Sequence, residues 1–379
     1  MQIKSSSISP VIILFVLLIT SCSSPTSKVS EEIALDSTKG LKDYYQNYFP
    51  VGVAVYPSAL KEQEAKLITS EFNSMTPENV MKMGPIHPKP DEYYWKDADQ
   101  IAAFAKENNL KLRGHALCWH QQTPNWLFTD SLGNDVGKEE LLARLKDHIT
   151  TVVNRYKGTI YAWDVVNEAV ADDSTIIYRD SKWLQICSKE FVAKAFEYAK
   201  AADPNAKLFY NDYNIVRPEK RERVYAFLKE LIDNGVPIDG VGIQGHWSIF
   251  EPSENELKTA IEKYSSLGLE VQITELDVSI YPWEKNVRER KPGESDEYTA
   301  ELQKKQSEKY AMFFRVFREY KDTITGVTFW NISDKYSWLD TYPVPGRKNY
   351  PLLFDQNFNR KQAYWEVVDF NNNVINNHN

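Results

Sequence analysis

Eight strand-length apolar runs alternate with helical patterns along this chain, and that alternation limits the fold more than any other feature. The runs are Val51–Tyr56, Glu71–Thr76, Lys111–Trp119, Ile160–Asn167, Lys207–Asn211, Gly240–His246, Glu270–Glu275 and Thr325–Asn331. Helical spacing fills Lys96–Glu107, Lys138–Tyr156, Lys182–Ala202, Pro218–Asn234, Glu254–Leu267 and Glu301–Tyr320. In the first of these, Ile101, Phe104 and Ala105 fall at i, i+3 and i+4, one face of a helix. Pro218 suits a first helical turn and Gly235 the residue after a last one. Strands that alternate with helices lie parallel, because each helical crossover returns the chain to the end of the sheet where the previous strand began. Eight such units between Gly40 and Phe370 predict one α/β domain over residues 40–370, a single (β/α)8 TIM barrel. An open doubly wound sheet is the rival, but no G-x-G-x-x-G follows the first run.

A barrel of this kind carries its chemistry at the carboxyl ends of its strands. Here those ends are polar and aromatic around the ring. They read Thr76-Pro77-Glu78-Asn79 with Lys82 beyond, then His115, Trp119 and His120, then Asn167-Glu168. Asn211-Asp212-Tyr213-Asn214, Gln244-Gly245-His246-Trp247 and Glu275-Leu276-Asp277 follow, and Trp330-Asn331 with Asp334 and Trp338 completes the ring. Glu168 and Glu275 each close a mainly apolar strand, the fourth and the seventh. Strands three apart in a ring of eight face each other across its mouth. Two facing carboxyls are what glycosidic bond cleavage needs: one gives a proton to the leaving oxygen, the other attacks the anomeric carbon or activates water. Either glutamate alone reads equally well as a structural ion pair at the rim.

Five stretches together resemble glycoside hydrolase family 10, the retaining endo-β-1,4-xylanases. They are Thr76–Lys82, Arg113–His120, Trp163–Glu168, Gly242–His246 and Ile273–Asp277, in family order, within a resemblance that spans Gly40 to Phe370. The resemblance implies that Glu168 is the general acid and later the base, and that Glu275 is the nucleophile that forms a glycosyl-enzyme intermediate. It implies that His246 and Asp277 support the nucleophile, and that Asn167 bonds the sugar 2-hydroxyl. Glu78, Asn79, Lys82, His115, Trp119, Gln122 and Gln244 match substrate-binding positions. Trp330 and Trp338 would form an apolar floor and wall, and Tyr213 a stacking platform on the aglycone side. Indole suits the C–H faces of sugars while Glu, Asn and Lys read hydroxyls. Trp163 and Trp365 are expected in the core. Asn331 stands where many family members have glycine, and is expected to add a side chain near the glycone sites. The charged stretch Tyr281–Glu301 is expected to be a loop framing the aglycone side, or else a solvated surface loop.

Composition excludes other classes. The net charge of −8 leaves no basic footprint for nucleic acid. Three cysteines cannot build a disulfide framework or a zinc cluster, and neither metal nor cofactor is implied. Cys118 and Cys187 read as small buried residues, with a disulfide as the alternative. The apolar run Val11–Ile19 is too short to span a bilayer. Ile19-Thr20-Ser21-Cys22 follows it and resembles a bacterial lipobox. That implies a lipoprotein signal peptide over residues 1–21, a lipid anchor on Cys22 and an outer-membrane address, with an ordinary cleaved signal peptide as the alternative. Residues 22–39, polar and Ser/Thr-rich, read as a flexible tether, and residues 371–379 as a mobile tail. The expected protein is a monomer acting on xylan or xylo-oligosaccharides. The rival readings are a catalytically dead xylan-capture lipoprotein and a retaining glucanase of related fold.

Overall fold

A computed structural model describes residues 35–172 and 175–370. The expected signal segment, Cys22, most of the tether and the C-terminal tail therefore lie outside the described residues. Nine parallel strands form the sheet: β1 Val51–Val55, β2 Ser74–Pro77, β3 Lys111–Cys118, β4 Ile160–Asn167, β5 Lys207–Asp212, β6 Gly240–Ile243, β7 His246–Ser248, β8 Glu270–Ser279 and β9 Ile324–Phe329. From β1 to β6 each strand pairs with the next in sequence. β1 also pairs with β9, β9 with β8, and β8 with β6, so eight strands close into the expected barrel.

The sixth expected strand is in fact two. Gly245 adopts φ +84°, which interrupts the run after β6. β7 then pairs with β8 on its own, setting His246 opposite Asp277. The second run also differs from expectation. Glu71 ends a helix, Glu62–Glu71, and the strand begins at Ser74. Glu71 is buried there, where it accepts from the Leu41 amide and pairs with Arg360. The expected helix 182–202 is two helices, Lys182–Cys187 and Glu190–Ala202, broken where Ser188 takes φ +50°. The eighth strand stops at Phe329, two residues early.

A large ring packs on one face of the paired strands β3 and β4, and a charge pair is buried on the other. Trp163 is buried, and its ring lies where a Cβ on Gly114 would come within 2.1 Å of it, so only glycine fits at 114. Arg113 donates two hydrogen bonds to Asp164, at 2.8 and 2.7 Å, and a third to Gln272 Oε1 at 2.7 Å. A buried charge is tolerated only when paired and fully hydrogen-bonded in this way. Cys118 and Cys187 are both buried free thiols, which removes the disulfide alternative. Trp365 is half-buried and packs on the core rather than within it.

Candidate active site

Glu168 follows the last residue of β4 and takes φ +58°, a left-handed conformation that non-glycine residues seldom hold without support. The support is visible on both sides of the residue. Its amide donates to Asn211 O at 2.8 Å, and Arg179 Nε donates to its carbonyl at 2.8 Å. The turn aims the carboxyl into the mouth, where three side chains donate to it. Asn167 Nδ2 and Gln244 Nε2 reach Oε1 at 3.1 and 3.0 Å, and Trp119 Nε1 reaches Oε2 at 3.0 Å. Trp119 and Gln244, read from sequence as substrate contacts, thus also orient this carboxyl.

Glu275 does not close its strand as expected: β8 runs on to Ser279, and Glu275 is buried within it. His246 lies between it and Asp277, with Nε2 3.1 Å from Glu275 Oε2 and Nδ1 2.9 Å from Asp277 Oδ2. The β7–β8 register produces this bridge. Burial works against a charge on His246, but Asp277 and then Glu275 outweigh it and push its pKa up to about 10. At neutral pH the ring is therefore a cation that donates from both nitrogens. Burial likewise opposes ionisation of Glu275. The His246 hydrogen bond, the nearby His115 and the His246 charge prevail, and its carboxyl is held below its ordinary value. Asp277 Oδ2 also accepts from Trp338 Nε1 at 2.8 Å, so this predicted wall residue braces the same bridge.

One amide joins the two glutamate networks. Asn211 Nδ2, at the end of β5, donates to both Asn167 Oδ1 and Glu275 Oε1 at 2.8 Å. Thr274 Oγ1 donates to Asn211 Oδ1 at 2.6 Å, which fixes the amide's orientation. From sequence Asn211 is a strand end with no assigned role. The signal for it is its place among the polar carboxyl ends of the strands, level with Asn167 in the β4–β5 register.

A third cluster gathers Glu78, Asn79 and Lys82 beyond β2. Lys82 Nζ donates to Asn79 Oδ1 at 2.9 Å, Asn79 Nδ2 to Glu78 Oε1 at 3.2 Å, and Asn331 Nδ2 to Glu78 Oε2 at 3.1 Å. Burial depresses Lys82, and the charges of Glu275, Glu78 and Glu168 partly restore it, so three carboxylates share its field. Its ammonium lies 4.9 Å from the Trp119 ring centroid. Gln122 is exposed and makes one long contact, 3.4 Å to Asn79 Oδ1. His115 is buried, with Nδ1 2.9 Å from Asp164, and meets the Trp330 ring edge-on at 5.4 Å. Trp330 also packs at 6.2 Å from His246, and Trp338 at 4.9 Å.

Tyr213 stands apart from the two glutamates' hydrogen bonds. Its hydroxyl bonds Asp172 and accepts from Arg179 at 2.9 Å, and Lys220 Nζ lies 3.9 Å from its ring centroid. These charged neighbours, unassigned from sequence, hold the ring while Arg179 holds Glu168. The charged stretch after β8 runs to Thr299, where the last helix before β9 begins at Ala300. Arg347 ties it down through Glu284 and Glu294. The same stretch contributes Tyr281 and Trp283 to a cleft shared with His246, Asp277, Trp338 and Tyr342.

Paired carboxyls across the mouth of a (β/α)8 barrel, with aromatic walls, define a hydrolase of glycosidic bonds. The chain belongs to glycosyl hydrolase family 10, whose model matches residues 40–370. It is 45% identical to endo-1,4-beta-xylanase B of Paenibacillus barcinonensis over 86% of this chain and 96% of that one. It is 47% identical to a beta-1,4-xylanase of Dictyoglomus thermophilum over 87% of this chain and 90% of that one. The crystal structure of a Paenibacillus barcinonensis xylanase superposes with a TM-score of 0.84 at 45% identity, covering 88% of this chain and 99% of that one.

Proposed function

We propose that this protein is a retaining endo-1,4-β-xylanase that cuts internal bonds of xylan by double displacement. The continuous chain of hydrogen bonds from Glu168 through Asn167 and Asn211 to Glu275 carries the reading, because it sets two carboxyls in fixed relation across one cleft. Glu275, held ionised by the His246 cation, attacks the anomeric carbon and forms the glycosyl-enzyme. Glu168 gives its proton to the leaving oxygen. It then takes a proton from the water that releases the sugar. Asn167, fixed by Asn211, bonds the sugar 2-hydroxyl. Glu78, Asn79 and Lys82 read further glycone hydroxyls, Trp330 and Trp338 pack the sugar faces, and Tyr213 supports the aglycone.

Xylan, a cellulose and a mixed-linkage glucan offered to the wild type and to Glu275→Ala test the reading. The wild type releases short xylo-oligosaccharides, the β-anomer first, and the variant releases none while still binding. Turnover by the variant, or faster cleavage of glucan than of xylan, would overturn it. The similarity to proteins named as xylanases supports xylan over glucan.

The sequence also supports an address outside the cytoplasm. Residues 1–21 act as a lipoprotein signal, Cys22 takes the lipid, and residues 22–39 tether domain 40–370, a monomer, to the outer membrane. Cys22→Ser should move the protein from the membrane to the soluble fraction. An unchanged distribution would exclude the anchor.

A further inference from the structure

Asn331 follows Trp330 at the carboxyl end of the last barrel strand and holds φ +135°. A non-glycine residue at that angle is strained, and such strain persists only where the surroundings hold it. The residue is 2% exposed, so it touches the floor of the site and not the solvent. Both ends of its amide are used. Oδ1 accepts from the Ile332 backbone N–H at 3.1 Å, which leaves Nδ2 facing Glu78 Oε2, where it donates at 3.1 Å. The orientation of the amide is therefore dictated by a backbone group that cannot turn away. Glu78 is in consequence gripped at both oxygens, by Asn79 at Oε1 and by Asn331 at Oε2.

We propose that Asn331 is a positioning residue that fixes the Glu78 carboxylate as an acceptor for glycone hydroxyls, and so sets substrate affinity on that side of the cleaved bond. This rests on reading Glu78 as a glycone-binding residue. A carboxylate held at both oxygens loses little rotamer freedom when a sugar arrives, and keeps lone pairs with which to accept from it. The charges around it make the grip more consequential. Burial pushes the Glu78 carboxyl up, and Glu275 from β8 adds to this, while Lys82, the Asn79 amide and the Asn331 amide oppose it. Tyr56, beyond β1, also lies in the field of Glu78, and stays neutral because burial raises its phenol. Removing the Asn331 donor therefore loosens Glu78 and weakens its ionised form together.

The test measures kcat and KM on an aryl β-xylobioside across pH 5–7 for wild type, Asn331→Gly, Asn331→Asp and Glu78→Gln. Asn331→Gly relieves the backbone strain and removes the donor. KM should rise about tenfold, as for loss of one hydrogen bond to a charged group, with kcat within about twofold. Asn331→Asp keeps the acceptor for the Ile332 amide and sets a second carboxyl against Glu78. Its KM ratio to wild type should be largest at pH 7 and fall toward pH 5, where one shared proton restores a bond between the two carboxyls. A purely structural role would not produce that pH trend. If Glu78→Gln raises KM but both Asn331 variants leave it within twofold of wild type, the proposal is overturned and Glu78 keeps its role. If Glu78→Gln itself leaves KM unchanged, the reading of Glu78 fails and the proposal with it. A fall in kcat at constant KM in Asn331→Gly also overturns it.

Discussion

Replacing Asp277 by asparagine keeps the side chain's shape and removes one charge from beneath the nucleophile. At an effective dielectric of about 20, opposite charges at the 2.9 Å His246–Asp277 distance attract by about 6 kcal/mol. Burial of His246 already works against its charge, so without Asp277 the ring loses most of the reason to be a cation. A neutral ring that keeps its proton on Nδ1 presents a bare Nε2 to Glu275. The nucleophile then loses a charge-assisted hydrogen bond, and after relaxation the net loss should be about 2–4 kcal/mol. That corresponds to a fall of roughly 30- to 1000-fold in kcat/KM. The sign of the pH effect follows from the nucleophile. Glu275 acts ionised and its pKa is held low, so weakening its support raises that pKa. The acid limb of kcat/KM must therefore move to higher pH, and the loss must be greatest on the acid side. Trp338→Phe is the control, since it keeps an aromatic ring beside His246 and removes the 2.8 Å indole bond to the same Asp277 oxygen. It should cost about tenfold, the lower end of the scale for one hydrogen bond to a charged group. An Asp277→Asn enzyme with an unmoved acid limb and kcat/KM within about threefold of wild type would refute the bridge as the source of nucleophile activation.

Three further perturbations probe other parts of the structure. Asn211→Ala should lower kcat by about 10- to 100-fold, since it strips one donor from Glu275 and frees Asn167; steady-state kinetics with an unchanged circular dichroism spectrum checks this, and wild-type kcat would exclude Asn211 from the machinery. Gly114→Ala drives a methyl into the Trp163 ring and should destabilise the barrel by about 1–3 kcal/mol, read as a lower urea midpoint. His87 and His148 are buried with their Nδ1 atoms 3.1 Å apart, and burial lowers both, His148 to about 3 from 6.5. The unfolded chain binds protons below about 6.5 that the folded pair refuses, so stability should fall from there toward pH 3, by up to about 1.4 kcal/mol per unit for each ring. His148→Gln should make urea-derived stability less steep over pH 4–6.5, and an unchanged slope would contradict the assignment.

Much of this protein is written locally. The strand–helix alternation dictates parallel strands covered by helices, and eight repeats with no dinucleotide fingerprint after the first favour closure into a barrel over an open sheet. Glu168 and Glu275 are legible because a charged residue in or just beyond a buried strand is costly unless something uses it. Boundaries were less legible. Glu71 falls in a short apolar run that reads as strand, yet its partners Arg360 and Leu41 are remote in sequence and claim it for a helix end. The break at Gly245 likewise depends on how β7 docks on β8, and that register alone sets His246 against Asp277.

The roles of the amides were decided only by the tertiary structure. Trp119, Gln244 and Trp338 could be read from sequence as sugar contacts, but which carboxylate each one also braces depends on contacts between separate strand ends. Asn211 bridges residues 44 and 64 positions away, and Asn331 reaches Glu78 across 253. Hydrogen bonds act over about 3 Å, so a chain reading sees which groups can bond, and only closure of the barrel determines which do.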